Sequence, residues 1–125
     1  MASEERVLFA KGVALFNDGE YFACHEVWEE LWKRSAGEER IVLQGMIQAA
    51  AALLHAQRGN RRGALSVYRK ALINLAGGGK GSITGSSGDF RNSLDEYFKA
   101  VEKGLELSPP RIAIDGTCLW RHVCK

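Results

Sequence analysis

Two stretches of the chain carry residues whose types and spacing could do chemistry. In the first, about 20–34, Tyr21, Cys24, Trp28, Leu31 and Trp32 recur at the i, i+3, i+4, i+7 spacing of one helix face. At about 100° per residue His25 falls inside that apolar arc, and Glu29 follows one turn later on its margin. Glu26, Glu30 and Lys33 turn toward solvent. The second stretch, Ile41 to Gln57, has no charged residue, and its Gln44, Gln48 and His55 share one narrow stripe with Ala51 and Ala52 between them. An unpaired polar group in a core costs about 1–3 kcal/mol, so a buried stripe of this kind needs partners. The expected partners are His25 and Glu29. That would gather two His, one Glu and two Gln inside walls of Trp28, Trp32 and Tyr21.

Three kinds of chemistry fit such a cluster. A hydrogen-bond network that docks two helical hairpins is the expected one, and His25→Ala would then cost on the order of 2–4 kcal/mol. A groove for a small polar ligand or a peptide end would use His25, Glu26, Trp28, Glu29, Gln44, Gln48 and His55. The alternative is a divalent-metal site with His25, Glu29 and His55 as ligands, the centre of a hydrolase-like enzyme. The standard metal patterns do not support it. His25-Glu26-Val27-Trp28-Glu29 has Glu where H-E-x-x-H needs its second His, and Phe22 stands where the di-iron Glu-x-x-His pattern needs Glu. No cofactor is therefore expected.

Charge is distributed unevenly. Residues 1–39 carry 4 basic and 9 acidic side chains, 40–88 carry 7 basic and no acidic ones, and 89–125 carry 6 of each sign. Arg58, Arg61, Arg62 and Arg69 could bind an anion or nucleic acid. The expected outcome is instead that the acidic first segment packs beside the basic one and compensates it. A formal net charge of +2 and only one aromatic, Tyr68, within 58–70 argue against nucleic acid.

Other signals are weaker. Gly77-Gly78-Gly79-Lys80-Gly81-Ser82 lacks the Ser or Thr directly after Lys and the preceding strand of a phosphate loop. Cys118, His122 and Cys124 match no zinc module, and a loosely docked tail is expected there. Three Cys, an odd number, suit a reducing compartment, and Cys24 reads as a small core hydrophobe. The first five residues lack the pattern of a signal peptide. Together these give a cytoplasmic expectation with no membrane partner.

Five helices must position these groups: about Ser3 to Asn17, 20–34, Glu38 to Gln57, 60–76 and 89–106, the last stopped by Pro109-Pro110. Between the last two lies a Gly/Ser-rich stretch, 77–88, read as a flexible loop. The uncharged third helix should sit at the centre, since it is too short and polar for a membrane span. At an offset of 40, Gly19-Glu20-Tyr21 with Cys24, Trp28 and Leu31 lines up with Gly59-Asn60-Arg61, Ala64, Tyr68 and Ala71. A helix, a Gly turn, a small residue and an aromatic four later is how tetratricopeptide-like hairpins interlock.

The run Phe16 to Glu29 resembles the "domain of unknown function 309" family, as do Leu43-Gln44-Gly45-Met46-Ile47-Gln48, Arg58-Gly59-Asn60 with Gly63-Ala64, and Pro109-Pro110-Arg111-Ile112. The resemblance covers about residues 6–112 and implies a small all-α bundle without an established activity. Its polar positions map onto His25, Glu26, Glu29, Gln44 and Gln48. The expectation is thus one all-α domain over 1–112, a compact five-helix bundle of two tetratricopeptide-like hairpins plus a closing helix, with a tail at 113–125. Its expected role is a binding or interaction module for a protein or small polar partner.

Overall fold

The computed structural model describes residues 3–76 and 84–112. Five helices follow one another: α1 (Ser3–Asn17), α2 (Tyr21–Lys33), α3 (Gly37–Gln57), α4 (Arg61–Ala76) and α5 (Thr84–Glu102). No strand occurs among the described residues. α1 and α2 form one hairpin and α3 and α4 a second. α2 also packs on α3, and α5 closes the bundle mainly against α4. This is the all-α five-helix bundle that the periodicity leads one to expect.

Both hairpins turn by the same device, 40 residues apart. Gly19 has φ +80° and Gly59 φ +78°, the left-handed conformation that costs a residue with Cβ. Each closes the helix before it with a pair of backbone bonds. Gly19 N–H donates to Phe16 O (3.0 Å) and Glu20 N–H to Leu15 O (2.9 Å); Gly59 N–H donates to Ala56 O (3.0 Å) and Asn60 N–H to His55 O (2.8 Å). The next helix starts equivalently, with Cys24 N–H on Glu20 O and Ala64 N–H on Asn60 O, both 3.0 Å. The offset-40 pattern of the sequence is thus a repeated turn in the backbone.

The first hairpin is built around Trp28, which is fully buried between Phe9 and Phe16. Phe16 also meets Tyr21 and Phe90 edge-on, and so ties α5 to the first hairpin. In the second hairpin Tyr68 stacks on Phe98 of α5 at 4.3 Å. α3 buries Val42, Leu43, Met46, Ile47, Ala49, Ala50, Ala52 and Leu53, as a central helix must. Its Gly45 lies against the backbone and side chain of Leu75 in α4. At the other end of α2, Arg40 lies 3.8 Å over the Trp32 ring.

The fifth helix differs at both ends from the 89–106 expectation. It begins at Thr84, within the stretch read as a loop, and ends at Glu102; residues 77–83 of that stretch lie outside the described residues. The stop is Gly104, φ +74°, not the two prolines. Gly104 N–H donates to Val101 O (3.1 Å) and Leu105 N–H to Ala100 O (2.8 Å), the same turn used at Gly19 and Gly59. Leu105 therefore leaves the helix and is 62% exposed. The chain then runs back to α1, where Asn17 grips Ile112 from both sides. Asn17 Nδ2 donates to Ile112 O (2.9 Å), and Ile112 N–H donates to Asn17 Oδ1 (2.8 Å). Ile112 is buried.

Candidate functional site

The expected polar cluster does not assemble as one site. On α2, His25 is half-buried and its Nε2 lies 3.6 Å from Glu29 Oε1, an i,i+4 pair whose Glu side chain is 52% exposed. Glu26 points to solvent and Trp28 into the core, where its Nε1 donates to Phe9 O at 3.3 Å. Two residues of the α3 stripe, Gln48 and His55, meet α4 and the turn before it. Gln48 Oε1 accepts from Asn74 Nδ2 of α4 at 2.6 Å. His55 sits at the α3–α4 turn, bonded to Asn60. Gln44, Gln48 and His55 are only partly buried, so the expectation of an inaccessible stripe fails as well. The reason is packing: both α2 and α4 lie on α3, and Gly45 lets α4 approach on the stripe's side.

This arrangement gives His55 a structural task. Asn60 Oδ1 accepts from Gly63 N–H (3.0 Å) and caps α4, which leaves Asn60 Nδ2 to donate to His55 Nδ1 (3.0 Å). The ring proton is thereby placed on Nε2. Among the described residues no three His, Cys, Asp or Glu side chains come close enough to hold a metal, so His25, Glu29 and His55 do not form the alternative ligand set. Burial raises the Cys24 thiol well above its ordinary range and pushes the Tyr21 hydroxyl up to about 12, which leaves both as neutral wall groups. Cys118, His122 and Cys124 lie outside the described residues, as do Gly77 to Ser82.

The basic stretch is where the structure does gather charge. Arg61, Arg62 and Arg69 line one cleft with Gly59 and Leu65. Arg58 is exposed beside it in sequence but does not line it. The described residues do not show ion pairing of this stretch with the acidic first segment. Among the described residues, Arg34 pairs with Glu4 and Glu30, and Lys33 with Glu30, so the acidic half takes its cations from itself. No ion pair among the described residues joins Arg58, Arg61, Arg62, Arg69 or Lys70 to a carboxylate. The cause is topological. α4 packs mainly on α3 and α5, and α3 carries no carboxylate after Glu39.

A second cleft, about 590 Å³, shares Gly59 and Arg61 with the first and continues along Tyr97, Val101, Leu105 and Leu107. None of those four residues figures in the expected site. The signal that points to them is Lys103-Gly104, a helix-stop pattern that turns the chain out of α5 at this edge. No helix among the described residues is long and apolar enough to cross a membrane.

Residues 9–67, from α1 through the first two turns of α4, match the model of the family described as Domain of unknown function (DUF309). An uncharacterized protein of Aquifex aeolicus (strain VF5) is 29% identical over 111 residues, which covers 88% of this chain and 32% of that protein. The chain thus spans about a third of that relative's length. The match takes in the blocks from Phe16 to Glu29, Leu43 to Gln48 and Arg58 to Ala64, and leaves out Pro109 to Ile112. Residues 9–67 thus carry the chain's similarity to the DUF309 family.

Proposed function

We propose that the chain is a binding module that acts through the cationic cleft at the α3–α4 turn. One observation carries this: Arg61, Arg62 and Arg69 line a single cleft, and no carboxylate among the described residues pairs with them. Uncompensated guanidinium groups raise the local potential and attract anions, and their planar fork suits carboxylate or phosphate. The groups also stand on a rigid support. α4 is capped by Asn60, fixed to the turn through His55, and packed against α3 and α5. An anion entering the cleft therefore meets arginines carried on a fixed backbone.

The test uses glutarate, a small dicarboxylate, titrated into isotope-labelled protein. Amide shifts should concentrate at Gly59, Arg61, Arg62, Leu65 and Arg69, and replacing the three arginines with Ser should remove them. Shifts that scatter over the surface, or that centre on His25 and Glu29, would sink the reading.

A further inference from the structure

We propose that the occupant of the cationic cleft is an acidic segment of another protein, with one large apolar side chain set among its carboxylates. The inference rests on the cleft being a binding site and concerns what it binds. The Arg-lined cleft meets a second one at Gly59 and Arg61, so a ligand in the first reaches directly into the second, whose lining mixes Glu106 and Ser108 with apolar side chains. That second cleft, about 590 Å³, falls in the usual range of about 300–1,000 Å³ for ligand pockets. Its walls include Leu105 and Leu107, which are 62% and 50% exposed, beside the half-buried Tyr97 and Val101.

A free anion or a nucleic-acid backbone would satisfy the arginines and leave that apolar wall in water. Stacking of bases needs exposed aromatic faces, whereas Tyr97 is half-buried and meets Phe98 edge-on at 5.0 Å. An acidic segment with an apolar anchor uses both surfaces. Spacing agrees: Arg62 and Arg69, seven residues apart on α4, stand about 10 Å apart along the axis at about 1.5 Å per residue. Carboxylates three residues apart on a polyproline-II segment, with three residues per turn and about 3.1 Å per residue, share one face and span about the same distance. Glu106 on the apolar rim repels carboxylates there and leaves that end to the anchor.

The experiment measures fluorescence anisotropy with a labelled peptide of Glu residues around a central Trp, against the whole chain. Three probes accompany it: the same peptide with Gln for Glu, the same peptide with Ser for Trp, and a short single-stranded oligonucleotide. The parent peptide should bind in a salt-dependent way, and each peptide change should weaken it by roughly tenfold or more. Arg62→Ser with Arg69→Ser, and separately Leu107→Asp, should do the same. All three positions are exposed, so the fold survives. If the Ser-for-Trp peptide binds as tightly as the parent, or no peptide binds while glutarate still shifts the cleft amides, the acidic-segment proposal is overturned and the anion site stands. Tighter binding of the oligonucleotide than of every peptide also overturns it, in favour of nucleic acid. Loss of the glutarate response as well removes the cleft itself.

Discussion

Trp28 dictates the residue opposite it. The indole is fully buried and held between Phe9 and Phe16, so it cannot retreat. A methyl group at Gly12 would fall on the indole ring itself. Alanine favours a helix over glycine by about 1 kcal/mol, yet here overpacking outweighs propensity. Gly12→Ala is expected to cost about 1–3 kcal/mol net, read as a lower urea midpoint at unchanged slope. His25 leads to the opposite expectation. The apolar arc places it in the core, but its position near the edge of that arc leaves it half-buried, with Glu29 as its polar neighbour at 3.6 Å. A partly exposed pair of this kind contributes about 0–1 kcal/mol. His25→Ala should therefore shift stability by less than about 1 kcal/mol, well short of the 2–4 kcal/mol that a docking role requires. A larger loss in urea unfolding would restore that role.

At the scale of elements, the turns were legible because their chemistry is local. Gly19 and Gly59 announce the left-handed stop, and an uncharged run from Ile41 to Gln57 announces a covered helix. Gly104 carried the same signal for the end of α5, and the more conspicuous prolines masked it. What could not be read was which neighbour the stripe of Gln44, Gln48 and His55 would meet. Its direction follows from helix geometry, but its partner depends on how α2 and α4 share the surface of α3. Gly45 was the available clue, since a glycine inside a helix often marks close approach. Asn60 gives the testable consequence. It caps α4 through Oδ1 and holds His55 through Nδ2. Asn60→Ala should cost about 0.5–2 kcal/mol. Asn60→Asp, which keeps the cap oxygen and loses the donor, should recover most of that cost in thermal or urea unfolding. If both variants lose equally, the His55 bond rather than the cap anchors the turn.

For the whole molecule, the distribution of charge follows from the order of the helices. Arg34 and Lys33 of the first hairpin pair with its own carboxylates, and the cations of 58–70 have no carboxylate partner among the described residues. α4 does receive one carboxylate across the closing interface, from Asp95 of α5, but through Tyr68 rather than an arginine. Tyr68 Oη donates to Asp95 Oδ1 at 3.0 Å, and Lys99 Nζ lies 2.9 Å from Oδ2. Burial first, and then the bond to Asp95, raises the Tyr68 hydroxyl well above its usual range, so it remains a donor. The Lys99 ammonium first, and then the Tyr68 hydroxyl, hold the Asp95 carboxyl below its usual pKa. A depressed folded pKa means that stability from Asp95 is complete above the unfolded carboxylate value of about 3.9 and is lost as pH falls through the lower folded value. Asp95→Asn keeps an acceptor for Tyr68 and removes only the charge. Wild type should therefore show the higher urea midpoint at pH 7, by a small margin, because both Asp95 and Lys99 are well exposed. That margin should shrink below pH 4 and vanish once the carboxyl is protonated. A margin that stays constant with pH would mean that Asp95 closes α5 onto α4 by shape and hydrogen bonding alone.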